Sequence, residues 1–126
     1  MTVNHKRPVN LDLGTLKYPP MAIVSILHRI SGLVLFILLP IMMCFLSSSL
    51  RSQDSFDHLQ NILTSPYCKI VLWGFSSAMT YHVIAGIRHI FMDIGIGEEL
   101  VSARRSAIML IALGIIFTLC LGVWIW

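Results

Sequence analysis

The chain has 126 residues, of which 56% are hydrophobic and 12% charged. Soluble domains carry about a quarter charged residues, so this balance excludes an ordinary soluble domain and fits a small integral membrane protein. The formal charge of +3 is modest and, on so apolar a chain, reads as membrane topology rather than nucleic-acid binding.

Residues 1–20 form a polar start. They contain Asp12 and lead into an apolar stretch too long for the core of a secretory signal, with no small-residue cleavage site, so no signal peptide is expected. Tyr18-Pro19-Pro20 marks the entry to a helix, because proline suits a first helical turn and disfavours helix before it. The first membrane span is predicted over about 21–50, longer than the roughly 20 residues that crossing requires. Its apolar core, 30–46, is broken only by Ser31, Gly32 and Pro40, and Pro40 is expected to kink it.

The opening of this span reads Ser25-Ile-Leu-His28-Arg29-Ile-Ser31-Gly32. Ser25, Arg29 and Gly32 share one helix face, with His28 beside it. A hydroxyl and a guanidinium two turns inside the apolar segment suit the polar ring of a lipid-soluble molecule. Quinone reduction builds negative charge on carbonyl oxygens, and pre-placed donors stabilise that charge best where water is scarce. Arg29 and His28 could also pair with haem propionates. The plain alternative is an arginine snorkelling to lipid phosphate and a serine bonded back to its own helix, and the segment alone weighs the two equally.

The polar stretch 51–65, with Asp54, Asp57 and His58, carries no recognisable motif and is expected to be a loop. The second span is predicted over 66–94. It holds His82-Val-Ile-Ala-Gly86-Ile-Arg88-His89-Ile-Phe-Met-Asp93. Ionisable groups in hydrocarbon are unfavourable by several kcal/mol each unless they face a protected interior, so they mark function. Positions 82, 86, 89 and 93 fall along one helix face. His82 lies in mid-span, and His89 is about 10 Å nearer one end. An intramembrane imidazole on a face relieved by glycine suits haem iron, against the alternative of a histidine hydrogen-bonded to a neighbouring helix. Two histidines on one face cannot grip opposite sides of one iron, so His89 is expected to pack near the haem or bond a polar neighbour. Arg88 lies off this face and is expected to snorkel to the interface.

A loop over 95–105 with Glu98, Glu99, Arg104 and Arg105 precedes a third span over 106–126. Lys6, Arg7, Lys17, Arg29, Arg88, Arg104 and Arg105 gather at one end of the spans, against Arg51 and Lys69 at the other. The positive-inside rule puts the N-terminus in the cytoplasm and the C-terminus outside, with Trp124 and Trp126 at the outer interface. Cys44, Cys68 and Cys120 show no ligand spacing and are expected to be small buried hydrophobes. Three helices are too few to enclose a large cofactor, so partners are expected.

Two stretches, Arg7-Pro8-Val9-Asn10-Leu11-Asp12-Leu13 with Ser25 to Gly32, and His82 to Gly95, carry a family likeness over nearly the whole chain. The sequence resembles the cytochrome b membrane-anchor subunits of succinate dehydrogenase (succinate:quinone oxidoreductase, complex II) in the bacterial form with two small anchors. The resemblance implies an all-α integral membrane protein, a single anchor domain over 1–126, whose three helices are half of a bundle that the second anchor completes. It implies that His82 is one axial ligand of a single haem b and that the second anchor supplies the other. It implies that Ser25 and Arg29 line the ubiquinone site, with Asp93 in its polar surroundings, and that His28 and Arg29 lie near the propionates. The flavoprotein and iron–sulfur subunits would dock on the cytoplasmic face of the bacterial inner membrane, and enzyme activity in the tricarboxylic acid cycle and respiratory electron transport would belong to the complex. Two rivals remain: the anchor of a quinol:fumarate reductase, and a proton-conducting protein using His82, His89 and Asp93. The outer halves of the helices offer no polar path, which counts against the second.

Overall fold

The computed structural model describes residues 18–126. The Arg7 to Leu13 stretch, Lys6 and Lys17 lie outside the described residues. Four helices follow in order: α1 (Pro20–Arg51), α2 (Gln53–Leu63), α3 (Pro66–Asp93) and α4 (Leu100–Ile125). Three of them, α1, α3 and α4, are long and apolar enough to cross a membrane. This is the all-helical, three-span architecture that the sequence implies.

The helix ends follow from local chemistry. Proline occupies the first turn of both α1 and α3. The Ser65 hydroxyl accepts from the Cys68 N–H at 3.4 Å and caps α3. At the other end of α3 the chain reverses on Gly95, whose φ of +82° lies in the left-handed region. The Gly95 N–H bonds the Met92 carbonyl at 3.0 Å and the Ile96 N–H bonds Phe91 at 2.8 Å. This is a Schellman closure, and it needs glycine at the left-handed position. Helix α1 runs through Pro40 without a break.

Two boundaries differ from expectation. The stretch 51–65 is not a loop: it contains α2, capped where the Ser52 hydroxyl accepts from the Ser55 N–H at 3.2 Å. Leu59 is buried, and Ser55 Oγ donates to the Ser48 carbonyl of α1 at 2.8 Å, which ties α2 to the end of α1. The third span starts at Leu100 rather than 106, so Arg104 and Arg105 belong to its first turns. Long basic side chains tolerate this depth because their charged ends reach the interface.

The helices meet through small residues. Ala103, Ala107, Leu110 and Gly114 are the buried positions of α4, spaced at four, three and four. Val24, Ala85, Ala107 and Leu110 form the central cluster, with Met21, Tyr81, Ile84 and Ile111 packed around it. In lipid, where hydrophobic burial gives helices no preference for each other, such close backbone approach supplies the dispersion contact that holds them. Hydrogen bonds stitch α3 to α4 at two depths. Trp73 Nε1 donates to the Thr118 carbonyl at 2.8 Å, and Arg88 Nε and Nη2 donate to Ser106 Oγ and the Ala103 carbonyl, both at 3.0 Å. Arg88 therefore does not simply snorkel; it clamps α4.

Most apolar side chains point outward from this bundle. Cys44 and Cys120 are among the exposed residues, contrary to the expectation that they are buried, and Cys68 is half-buried. Their apolar surroundings lie outside this chain.

Candidate functional site

The first turns of α1 and the middle of α3 run side by side and bring three histidines together. The rings of His28 and His82 stack with centroids 4.1 Å apart and planes 13° from parallel. His28 also meets His89, at 5.1 Å and 49°. His82 sits about 24 Å along α3 from Pro66 and about 16 Å from Asp93, near the middle of the span. The register that produces this cluster is set below it by Val24 and Ala85, both fully enclosed.

The Cε1–Nδ1 edge of the His82 ring comes close to α1 at Gly32. A Cβ placed on Gly32 would lie 3.1 Å from His82 Cε1, so only glycine lets the ring approach so closely. Gly86, expected to leave room between the histidines, is covered by His28: a Cβ there would lie 3.5 Å from His28 Nε2.

The hydrogen bonds fix how His82 carries its proton. Ser31 Oγ donates to the His28 carbonyl at 2.8 Å. His82 Nδ1 lies 3.0 Å from Ser31 Oγ and 3.2 Å from the same carbonyl. A carbonyl oxygen can only accept. The serine has one proton, already given to it. Both contacts of Nδ1 therefore require an N–H on Nδ1, which leaves Nε2 with its lone pair. No hydrogen bond reaches His82 Nε2 among the described residues. His28 Nε2 is buried and has no hydrogen-bond partner there either. Imidazole with a free Nε2 lone pair, oriented by a bond through Nδ1, is the form in which histidine binds a metal.

The remaining predicted residues do not join this cluster. Ser25 is half-buried on α1, and Arg29 points outward. Asp93 is exposed as the last residue of α3. A carboxylate there faces the negative end of the helix dipole and does nothing for helix stability. No hydrogen bond links Ser25, Arg29 and Asp93 among the described residues. Among the described residues the most enclosed polar side chain is Ser31, one of the breaks in the apolar run of α1, at 7% exposure. A groove of about 440 Å³ lies elsewhere, between α3 and α4 beside Arg88.

Three helices long and apolar enough to cross a membrane, with three histidines gathered between two of them, define a small multi-pass membrane protein. Residues 3–121 match the family described as succinate dehydrogenase/fumarate reductase transmembrane subunit, and the chain belongs to that family. It is similar to the succinate dehydrogenase cytochrome b556 subunit of Coxiella burnetii, 46% identical over 98% of this chain and 100% of the relative. The cytochrome b556 subunit of Paracoccus denitrificans is 34% identical over 84% of this chain and 82% of its own length. The cytochrome b560 subunit of Porphyra purpurea is 30% identical over 87% and 90%.

Proposed function

We propose that this chain is the haem b-bearing membrane anchor of a succinate dehydrogenase and forms part of its ubiquinone-reduction site. The observation that carries the reading is His82 in mid-span, with its Nδ1 engaged and its Nε2 lone pair free. His82 would hold haem b through Nε2, together with a histidine from a second small anchor subunit. Bound there, haem b takes up and releases single electrons. The buried, unpartnered Nε2 of His28 suits a propionate oxygen, and the exposed Arg29, the next residue, would supply positive charge to a propionate from the outer side of α1. His89, packed against His28, would lie near the same haem.

Arg29 is exposed on α1 and Ser25, one turn before it, is half-buried, so a partner subunit would close over them. Ser25 offers a hydroxyl hydrogen bond to one carbonyl oxygen of ubiquinone, and Arg29 stabilises the charge that develops on it. Asp93 contributes a carboxylate at the cytoplasmic end. Iron–sulfur and flavoprotein subunits would dock on that side and deliver electrons from succinate. The family description also covers fumarate reductases, but the relatives cited are named for succinate dehydrogenase, which favours the succinate-oxidising direction.

The test uses the complex purified through a tag on this chain. Three further subunits and one haem b per chain are expected. His82→Leu abolishes or shifts the low-spin haem b spectrum; an unchanged spectrum refutes the ligand assignment. Arg29→Leu lowers quinone reduction on the order of 10²-fold, while succinate oxidation by a dye that accepts electrons near the flavin persists. Equal loss of both activities would place Arg29 in assembly instead.

A further inference from the structure

We propose that Ser31 is a positioning residue for the haem ligand: with the His28 carbonyl it holds the Nδ1 proton of His82, so that Nε2 is presented in a fixed orientation and as a stronger electron-pair donor. The inference rests on the reading of His82 as axial ligand, and it adds a residue that the site did not include.

The geometry is specific. Ser31 is enclosed, at 7% exposure, between α1 and α3. Its hydroxyl proton is committed to the His28 carbonyl at 2.8 Å, so its oxygen faces His82 Nδ1 as an acceptor at 3.0 Å. The His28 carbonyl at 3.2 Å is a second acceptor for the same N–H. Gly32, the next residue, lets the imidazole lie against the helix at this point. Donation from Nδ1 gives the ring partial imidazolate character. That strengthens its donation to ferric iron and lowers the reduction potential, the effect that outer-shell acceptors have on ligating histidines. Because the His28 carbonyl remains, removing the serine oxygen weakens this effect without removing the N–H bond altogether.

A serine bonded back to its own helix carbonyl is ordinary in membrane helices. If that were its whole role, the haem would not sense its removal. The experiment therefore reads the haem directly, in the assembled complex in membranes, for Ser31→Ala, Ser31→Thr and His82→Leu. The readouts are haem content, midpoint potential by redox titration, and the electron paramagnetic resonance g values of the oxidised haem. Ser31→Ala is expected to retain haem with a raised midpoint potential and altered g values, and Ser31→Thr, which keeps the hydroxyl, to restore both toward the unsubstituted complex. Loss of haem from the alanine variant alone also supports the proposal. Unchanged potential and g values in Ser31→Ala, or the same defect in both serine variants, overturn it. An unchanged low-spin signal in His82→Leu instead refutes the ligand reading itself, so the two failures are distinguishable.

Discussion

An imidazole in the middle of a membrane is defined by what its two nitrogens do. For His82 one is committed to α1 and the other is not, and that asymmetry depends on Gly32 as much as on Ser31. An added methyl at Gly32 would lie 3.1 Å from Cε1, tighter than nearly all real contacts, and the ring would have to move by a few tenths of an ångström. The same displacement lengthens the 3.0 Å bond from Nδ1 to Ser31. Gly32→Ala is therefore expected to lower haem occupancy or shift the haem optical bands in the purified complex, while leaving the helices intact. Full occupancy with an unshifted spectrum would show that the close approach is not needed. His82 was legible in the sequence because an ionisable group in an apolar run stands out. Ser31 was not, because a serine in such a run is usually bonded to its own helix and its partner lies 51 residues away.

Between elements, the seam of α4 decides stability. Gly114 faces the Tyr81 ring so closely that a Cβ would come within 2.8 Å of Cδ2. Tyr81 has little freedom to retreat, since its hydroxyl reaches the Val24 carbonyl of α1 at 3.4 Å and its ring packs on the central cluster. Gly114→Ala should overpack this junction and destabilise the bundle by about 1–3 kcal/mol, seen as a lower midpoint of thermal inactivation of the complex. A second change, Tyr81→Leu, should recover part of the loss in a double-mutant cycle; simple additivity would argue against the clash. The long spans were readable because twenty apolar residues outweigh any local ambiguity. Helix α2 was not, because its polar composition hides a short amphipathic pattern of Phe56, Leu59 and Leu63. The sequence sends Arg88 to the interface because its bonds to Ser106 and Ala103 depend on the register of two helices, which periodicity within one helix cannot supply.

Across the whole molecule the described chain has almost no interior of its own. Val24 is its largest fully enclosed side chain, while Phe36, Leu50, Val123 and Trp124 are each more than three-quarters exposed. Such a surface suits hydrocarbon and neighbouring helices, so the composition alone sufficed to read the class. Charge sets the direction. The start of α1 lies against the start of α4, where Tyr18, Pro19, Pro20 and Met21 share a pocket with Leu100 and Arg104. With Arg29, Arg88 and Arg105 they make one basic end, and Arg51 and Lys69 lie at the other. Positive residues near span ends are retained in the cytoplasm. Alkaline phosphatase, which needs an oxidising compartment for its disulfides, should thus be active when fused after Trp126 and inactive when fused into the turn between α3 and α4. The reverse pattern would invert the topology and put Asp93 at the outer end of its span, which would overturn the orientation proposed above.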